Sequence, residues 1–463
     1  LWLDEVYTRE IVRESSLAGL WRHVRATEST PPLYYLIGWT LHARSTVAMR
    51  SISAVSLIAA VPVGYLAFRR LIGSTPALAT SAILAVTPVL VSYSTDARSY
   101  SLFVLVSLLS LWAFARLLED NSSRSFVLWV VMSAASVWTH YFGVFVVGAE
   151  IVVLLVAHPQ LRRATIGWTV LLGVCLLPLI PLVTSQSGDE RAGFIVATPL
   201  TQRLADAVRQ FAMGPNVPRA WLEGAGLAVV CISVLVGVVM AVRYRHGPRV
   251  LLALAVITLA TPLLMAALGI ADRFYTRNVI AVVPIAAALA APAMLRLRAM
   301  PLAIYLGLAT ATSAWVAINW RYEQADWKAV LARAETIDRS VPIVAVTRLG
   351  APVAQTYLAR PPAGPSGVIA QRAWIVVEPV RAAGHRALAP APTPSLPGFA
   401  TLRTLEVHGF RLILVGANQP TPIAPAELAD AAVFAGTATE TDQIHRHAIG
   451  RLRLRSDPPT WAG

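Results

Sequence analysis

The sequence predicts an all-α polytopic membrane protein of about 10–11 transmembrane helices with a small α/β domain at its C-terminal end. Three observations predict it. Of 463 residues 56% are hydrophobic and only 14% charged, with a mean hydropathy of +0.60, far from the balance of a soluble chain. Apolar runs long enough to approach a bilayer's thickness follow one another from residue 46 to residue 319. Beyond about residue 320 hydrophobicity drops and short strand-like and helix-like patterns take over. The domains expected are therefore a first outer loop with juxtamembrane helices at 1–45, a transmembrane domain at 46–320 and an outer α/β domain at 321–463.

Residues 1–30 mix acidic and basic side chains around apolar positions Val6, Ile11, Leu17 and Leu20, the spacing of amphipathic helices lying along a membrane surface. Pro31-Pro32 stops any helix before it and favours a new start. The following apolar stretch, Leu33 to Ala43, is too short to cross. Ten candidate spans come next: 46–70, 76–93, 99–118, 126–142, 143–158, 165–184, 223–243, 249–271, 279–297 and 300–319. After them the pattern gives an amphipathic helix at 326–337, strands at 342–346, 374–378 and 412–415, and a proline-rich loop at 387–400. The chain opens with Leu1, so a leading span is expected to precede it.

The formal charge is +14, which raises the question of nucleic acid, but the positions of the arginines answer it. Arg69, Arg70, Arg116, Arg124, Arg162, Arg163, Arg243, Arg245, Arg249, Arg296 and Arg298 all fall on one side of the spans, which the positive-inside rule makes the cytoplasm. No nucleic-acid partner is expected. The other face then receives residues 1–45, the turns at 96–99, 140–141 and 272–277, the loop at 185–222 and the C-terminal region. Cys175 and Cys231 lie inside apolar runs and give neither a disulfide framework nor a zinc site.

The polar chemistry gathers on that outer face. Asp4 and Glu5 are adjacent acids beside the membrane; they suit either a solvated helix start or a general base that takes a proton from an attacking hydroxyl. The turn at 92–102 places Asp96 and Arg98 between two spans with Tyr93 and Tyr100 beside them, either an ordinary surface ion pair or a phosphate contact. Arg50, Arg273 and Arg277 also lie on the face that should carry few cations. With Arg98 they make a site for an anionic lipid headgroup. His140, next to Tyr141, reads first as an interfacial histidine. Glu150 falls mid-span, where a carboxylate needs a partner on a neighbouring helix or a proton. No GxxxxGK[ST], HExxH or GxSxG segment is present, so the substrate must carry its own activation.

These pieces occur in a recognisable order: the acidic pair, TPPLYYLIGW at 30–39, VAMRSISAV at 47–55, YSTDARSYSL at 93–102, THYFG at 139–143 and RNVIAVVPIAAAL at 277–289. Over roughly residues 1–300 the chain resembles the GT-C membrane glycosyltransferases, and more narrowly the bacterial relatives of dolichyl-phosphate-mannose protein mannosyltransferases and aminoarabinose transferases (glycosyltransferase family 39-like). ADWKAVLARAE at 325–335 resembles the helix that opens the outer domain in many bacterial members. The resemblance implies a GT-C fold in the bacterial plasma membrane and inverting transfer of a sugar from a polyprenyl-phosphate donor to an acceptor hydroxyl on the outer face. Mannose or another hexose or pentose is the sugar expected, and a glycan, lipid or protein the acceptor. It implies Asp4 as base with Glu5 as its acidic neighbour, Arg98 and Arg277, with Arg273 and Arg50, at the donor phosphate, and Pro31, Pro32, Tyr34, Tyr35, Asp96, Tyr100, His140 and Tyr141 around the cavity. A divalent cation, magnesium or manganese, is a candidate cofactor on hard oxygen ligands. The chain departs from the family in Ser29-Thr30, where His or Lys often precedes the proline pair, and in Thr95-Asp96, where Glu is frequent. The competing readings are a transporter or flippase of a lipid-linked sugar, for which no pair of related halves is evident, and a membrane sensor, for which ten spans are more than an anchor requires.

Overall fold

The computed structural model describes residues 2–187, 193–244, 246–319, 326–347, 350–359, 361–364, 367–379, 395–424 and 431–436. The chain forms two compact units, chiefly residues 3–323 and residues 324 onward.

The first unit is helical throughout. Helices α1 (Leu3–Val12), α2 (Leu17–Thr27) and α3 (Leu33–Thr40) occupy the region read as juxtamembrane. Ser16 caps α2 through its hydroxyl, which accepts the Gly19 N–H at 3.1 Å, and Pro32 stands at the N-cap of α3. All ten apolar runs are helical: α4 (Thr46–Ile72), α5 (Ser74–Val86) with α6 (Pro88–Ser94), α7 (Tyr100–Glu119), α8 (Ser123–Thr139), α9 (Gly143–Ala157), α10 (Arg162–Leu176) with α11 (Ile180–Ser187), and, after α12 (Gly193–Ala197) and α13 (Leu200–Met213), α14 (Ala220–Tyr244), α15 (His246–Ala267), α16 (Val282–Met294) and α17 (Met300–Ala317).

Their lengths differ from a set of ten uniform spans. Among the described residues six continuous helices are long and apolar enough to cross, or seven when α5 and α6 count as one span bent by 53°. The bend falls at Thr87-Pro88, where the proline has no N–H to continue the ladder. Helices α8, α9 and α16 run 17, 15 and 13 residues, short of the roughly 20 that a full hydrocarbon core asks for. The stretch 185–222, expected as a loop, contains the amphipathic helix α13, whose Ala207, Ala212 and Met213 are buried.

Helix α7 is the centre of this unit, with 72% of its apolar window buried, whereas the span from Pro159 to Gln186 and that from Leu297 to Ala317 are 17% buried. Close approach of α4 to α5 depends on a small residue: a Cβ on Gly64 of α4 would stand 3.0 Å from Leu84 of α5. Helices α4 and α7 run in the same direction. Ser53 donates to the Arg98 carbonyl at their starts, and Arg70 pairs with Glu119 at their ends. The arginine-rich end and the Arg50–Arg98 end thus lie at opposite poles of these helices.

The second unit holds α18 (Trp327–Ile337), α19 (Ala351–Leu358) and a five-stranded sheet of β1 (Ile343–Val346), β2 (Val368–Val377), β3 (Ala400–Val407), β4 (Phe410–Ile423) and β5 (Ala431–Phe434). The strand order is β3-β4-β2-β1-β5. Strands β1 and β2 pair in parallel and the other neighbours antiparallel. The helix read at 326–337 starts one residue later because Asp326 is its cap, accepting the Ala329 N–H at 3.0 Å. Strand β3 begins at Ala400, the last residue of the segment read as a loop; residues 387–394 of that segment lie outside the described residues.

Candidate active site

Asp4 and Glu5 occupy the first turn of α1, and because successive helical residues point about 100° apart they face different surroundings. Glu5 turns inward and is 0% exposed. Its Oε1 accepts from Arg50 Nε at 2.7 Å and from the Ala97 N–H at 2.9 Å, and its Oε2 accepts from Arg50 Nη2 at 2.7 Å. This two-pronged contact is the strongest geometry a carboxylate and a guanidinium can adopt. It ties α1 to α4 and to the 95–99 turn. Expected as a catalytic acid and a phosphate ligand, Glu5 and Arg50 instead engage each other.

Asp4 keeps 26% of its side chain open, and its Oδ2 stands 3.9 Å from Arg98 Nε and 4.0 Å from Arg277 Nη1. It lies in the field of two cations at longer than hydrogen-bonding distance. Arg98 is buried to 6% exposure and donates through Nη1 to Glu28 Oε1 at 2.8 Å and to the Asp4 carbonyl at 3.3 Å. Burial pulls its guanidinium toward neutrality, but Glu28, and after it Tyr35 and Asp4, hold its pKa well above the ordinary arginine value. Its Nε has no hydrogen-bond partner among the described residues.

Arg277 reaches the same point from the turn before α16. Its guanidinium lies 5.9 Å from the Tyr100 ring and 5.5 Å from the Tyr275 ring, with Tyr93 packed 4.8 Å from Tyr100. Against the pull of burial, Tyr100 and Asp4 raise its pKa. Asp96, half-buried beside Ala97, has its carboxyl pushed up to about 7 by burial and then by Glu5. Arg273 shares the turn with Arg277, and its carbonyl accepts from Asn278 at 2.8 Å.

The residues expected around a cavity are mostly packed behind this corner. Pro31, Pro32, Tyr34 and Tyr35 are all buried. Tyr34 donates to the Met49 carbonyl at 3.0 Å, and Tyr35 meets Thr30 Oγ1 at 3.0 Å. Tyr34, which also meets Ser53 Oγ at 3.1 Å, braces α3 against α4. His140 is also buried, stacked 4.8 Å from Phe103. Burial, with help from Arg277 and Arg98, lowers its pKa to about 3, and its Nδ1 accepts the Phe142 N–H at 3.2 Å. It is a neutral packing group at physiological pH. Tyr141 donates to Gln186 at 2.7 Å, and Gln186 donates in turn to the Val24 carbonyl at 3.1 Å, so this pair ties the α8–α9 turn to α11 and α2.

Two participants escaped the sequence reading. Glu28, 2% exposed, holds Arg98 from just before the proline pair. Arg203 on α13, 3% exposed, donates to both oxygens of Asp272 at 2.6 Å, to the Phe274 carbonyl at 2.8 Å and to the Thr198 carbonyl at 2.8 Å. It fastens the turn that leads to Arg277. An acid or a base inside an outer segment was the only available signal, because each partner lies some 70 positions away.

Two of the acids near this corner are already engaged by guanidiniums, Glu5 by Arg50 and Glu28 by Arg98, which leaves Asp4 and Asp96 as the oxygen donors nearest to hand for a divalent cation. Among the described residues no group of three or more His, Cys, Asp or Glu converges.

Residues 29–184 match the family model described as dolichyl-phosphate-mannose-protein mannosyltransferase. No curated protein gives a significant match. Among solved structures the chain is similar to ArnT from Cupriavidus metallidurans bound to undecaprenyl phosphate, with a TM-score of 0.53 and 14% identity over 89% of this chain and 93% of that one. ArnT from the same organism in the apo state gives a TM-score of 0.51 at the same identity and coverage. Such identity speaks for the fold alone, and the family model covers the stretch that supplies Arg50, Arg98 and His140. On these grounds the chain is a multi-pass membrane protein of the GT-C fold, resembling ArnT in architecture and the dolichyl-phosphate-mannose-protein mannosyltransferases in sequence.

Proposed function

We propose that the chain is an inverting glycosyltransferase that moves a sugar from a polyprenyl-phosphate donor to an acceptor hydroxyl on the non-cytoplasmic face of the plasma membrane. The observation that carries this reading is the placement of the Asp4 carboxylate within 4.0 Å of both Arg98 and Arg277. It is supported by the family match and by the undecaprenyl phosphate bound to ArnT.

In this reading the acceptor oxygen attacks the anomeric carbon as its proton passes to Asp4. The bond from that carbon to the phosphate oxygen breaks, and polyprenyl phosphate leaves with the electron pair. Arg98 and Arg277 offset the charge growing on the phosphate, which is where stabilisation accelerates the step. The open part of Asp4 then returns its proton to solvent. Glu5 and Glu28 act as positioning residues, holding α1 and Arg98 in place. Single displacement accounts for inversion without a covalent nucleophile.

The test is transfer from synthetic polyprenyl-phosphate sugars, mannose and other hexoses and pentoses, by the reconstituted chain beside Asp4→Asn. Turnover of one donor, lost in the variant with donor binding retained, is the expected outcome. Equal turnover in both proteins rejects Asp4 as base. Movement of a labelled lipid-linked sugar between leaflets without transfer establishes the transporter reading instead.

A further inference from the structure

Glu150 lies in α9, 0% exposed, away from the corner just described, and the proposed reaction does not use it. Its two oxygens are treated unequally. Oε2 accepts from Ser110 Oγ at 2.7 Å and from Trp129 Nε1 at 2.8 Å, whereas Oε1 is buried with no hydrogen-bond partner among the described residues. Among the described residues no arginine, lysine or histidine pairs with it.

An ionised carboxylate spreads its charge over two equivalent oxygens and needs donors at both. A carboxylic acid has one carbonyl oxygen, which accepts two donors, and one hydroxyl oxygen, which must donate. The pattern at Glu150 is that of the acid, with its hydrogen on Oε1. A lone charge in a helix bundle's interior carries the same preference, since nothing nearby compensates it.

That hydrogen then needs an acceptor. Glu150 borders a chamber also lined by Ser107, Thr258, Val146, Leu254 and Ile285, with room for about one water molecule. Ser107 meets Ser136 at 3.0 Å, and Thr258 has only a 3.5 Å contact with the Phe145 carbonyl. Three polar groups thus face one small space without bonding to each other. A monovalent cation would want several oxygen ligands there, and the wall is mostly apolar.

We propose that Glu150 is a protonated site that holds a single buried water, donating to it from Oε1 while Ser107 and Thr258 bind its remaining positions. The site joins α7, α9 and α15 through a neutral solvent molecule. This proposal is independent of the glycosyltransferase reading.

The experiment is infrared difference spectroscopy of the full chain in lipid at pH 7, wild type against Glu150→Gln. The expected difference is one protonated-carboxyl band, present in wild type and lost in the variant. Carboxylate bands in its place overturn the proposal. Removing the water's other partners with Ser107→Ala and Thr258→Val together should shift that band to higher frequency, and an unshifted band overturns the bridging water. The thermal midpoint of the wild type alone, compared in sodium, potassium and choline chloride, should be the same in all three. Stabilisation by one cation overturns the neutral acid even where the Gln variant does not accumulate.

Discussion

Arg203 offers the sharpest test of how the site is held. The guanidinium donates to four oxygens, two of them on Asp272, and none is a substrate contact in the proposed reaction. Arg203→Ala leaves the Asp272 carboxylate and two backbone carbonyls unpaired. Breaking a fully buried ion pair costs about 3–5 kcal/mol, and because Asp272 keeps 21% of its side chain open the lower end, about 3 kcal/mol, is expected. Arg203→Lys retains the charge but loses the planar fork, for an expected cost of about 1–2 kcal/mol. The turn it fastens leads in three residues from Phe274 to Arg277, so loosening it should disorder the Arg277 guanidinium. We therefore expect the donor KM to rise and kcat to fall in Arg203→Lys, lowering kcat/KM about tenfold, equivalent to about 1.4 kcal/mol, because Arg277 meets both the bound phosphate and the charge that grows on it. The assay is steady-state transfer with varied donor, beside thermal unfolding of the same preparations. A double-variant cycle with Asp272→Asn should show strong coupling in both readouts. Lowered stability with an unaltered kcat/KM for donor would refute the positioning role and leave Arg203 as a clamp for α13 alone.

The other predictions are briefer. Arg98→Ala and Arg277→Ala should each weaken binding of the donor or of polyprenyl phosphate by about 1.5–3 kcal/mol, the value of a charge-assisted contact, measurable by titration in detergent; unaltered affinity in both contradicts the phosphate assignment. Glu28→Gln should lower the stability of the Arg98 corner and reduce kcat without removing activity, since Arg98 keeps its charge and loses its anchor; wild-type kinetics and stability count against that role. Asp96 carries a carboxyl raised to about 7 when folded against about 4 when unfolded, so the folded state holds more protons between those values. Its contribution is most favourable below pH about 4 and is lost as pH rises through about 7. Asp96→Asn should flatten that part of the stability–pH curve, and an unchanged slope shows the group to be solvated.

Arg98 and Arg277 were legible because a charged group at the end of an apolar run stands out against its surroundings, and Asp4 through its acidic neighbour and the family resemblance. Their division of labour was not. Asp4 and Glu5 are neighbours in sequence, and only the rotation between successive helical residues separates an open carboxylate from one closed on Arg50. Glu28 looked like one more polar residue before the prolines because Arg98, its partner, is 70 residues on. Glu150 was readable as a costly mid-span acid with a partner, and Ser110 and Trp129 on neighbouring helices are those partners. In the second unit parts of β1, β2 and β4 were found through their buried apolar runs, while the four-residue β5 was missed. Strand β3 was missed too, because its residues are mostly exposed and only its pairing with β4 makes it a strand.

The pairing of Asp4 with Arg277 has a consequence for biosynthesis. The two residues are separated by nearly the whole membrane domain, so at about 5–20 residues per second the ribosome needs roughly 14–55 s after making the first to supply the second. Glu5 receives Arg50 early and Asp4 can meet Arg98 soon after, but the corner remains one cation short until the turn before α16 has been made. Under the proposed reading, a nascent chain is then a poor ligand for a lipid phosphate until that turn exists, and its capacity to bind donor comes late in synthesis.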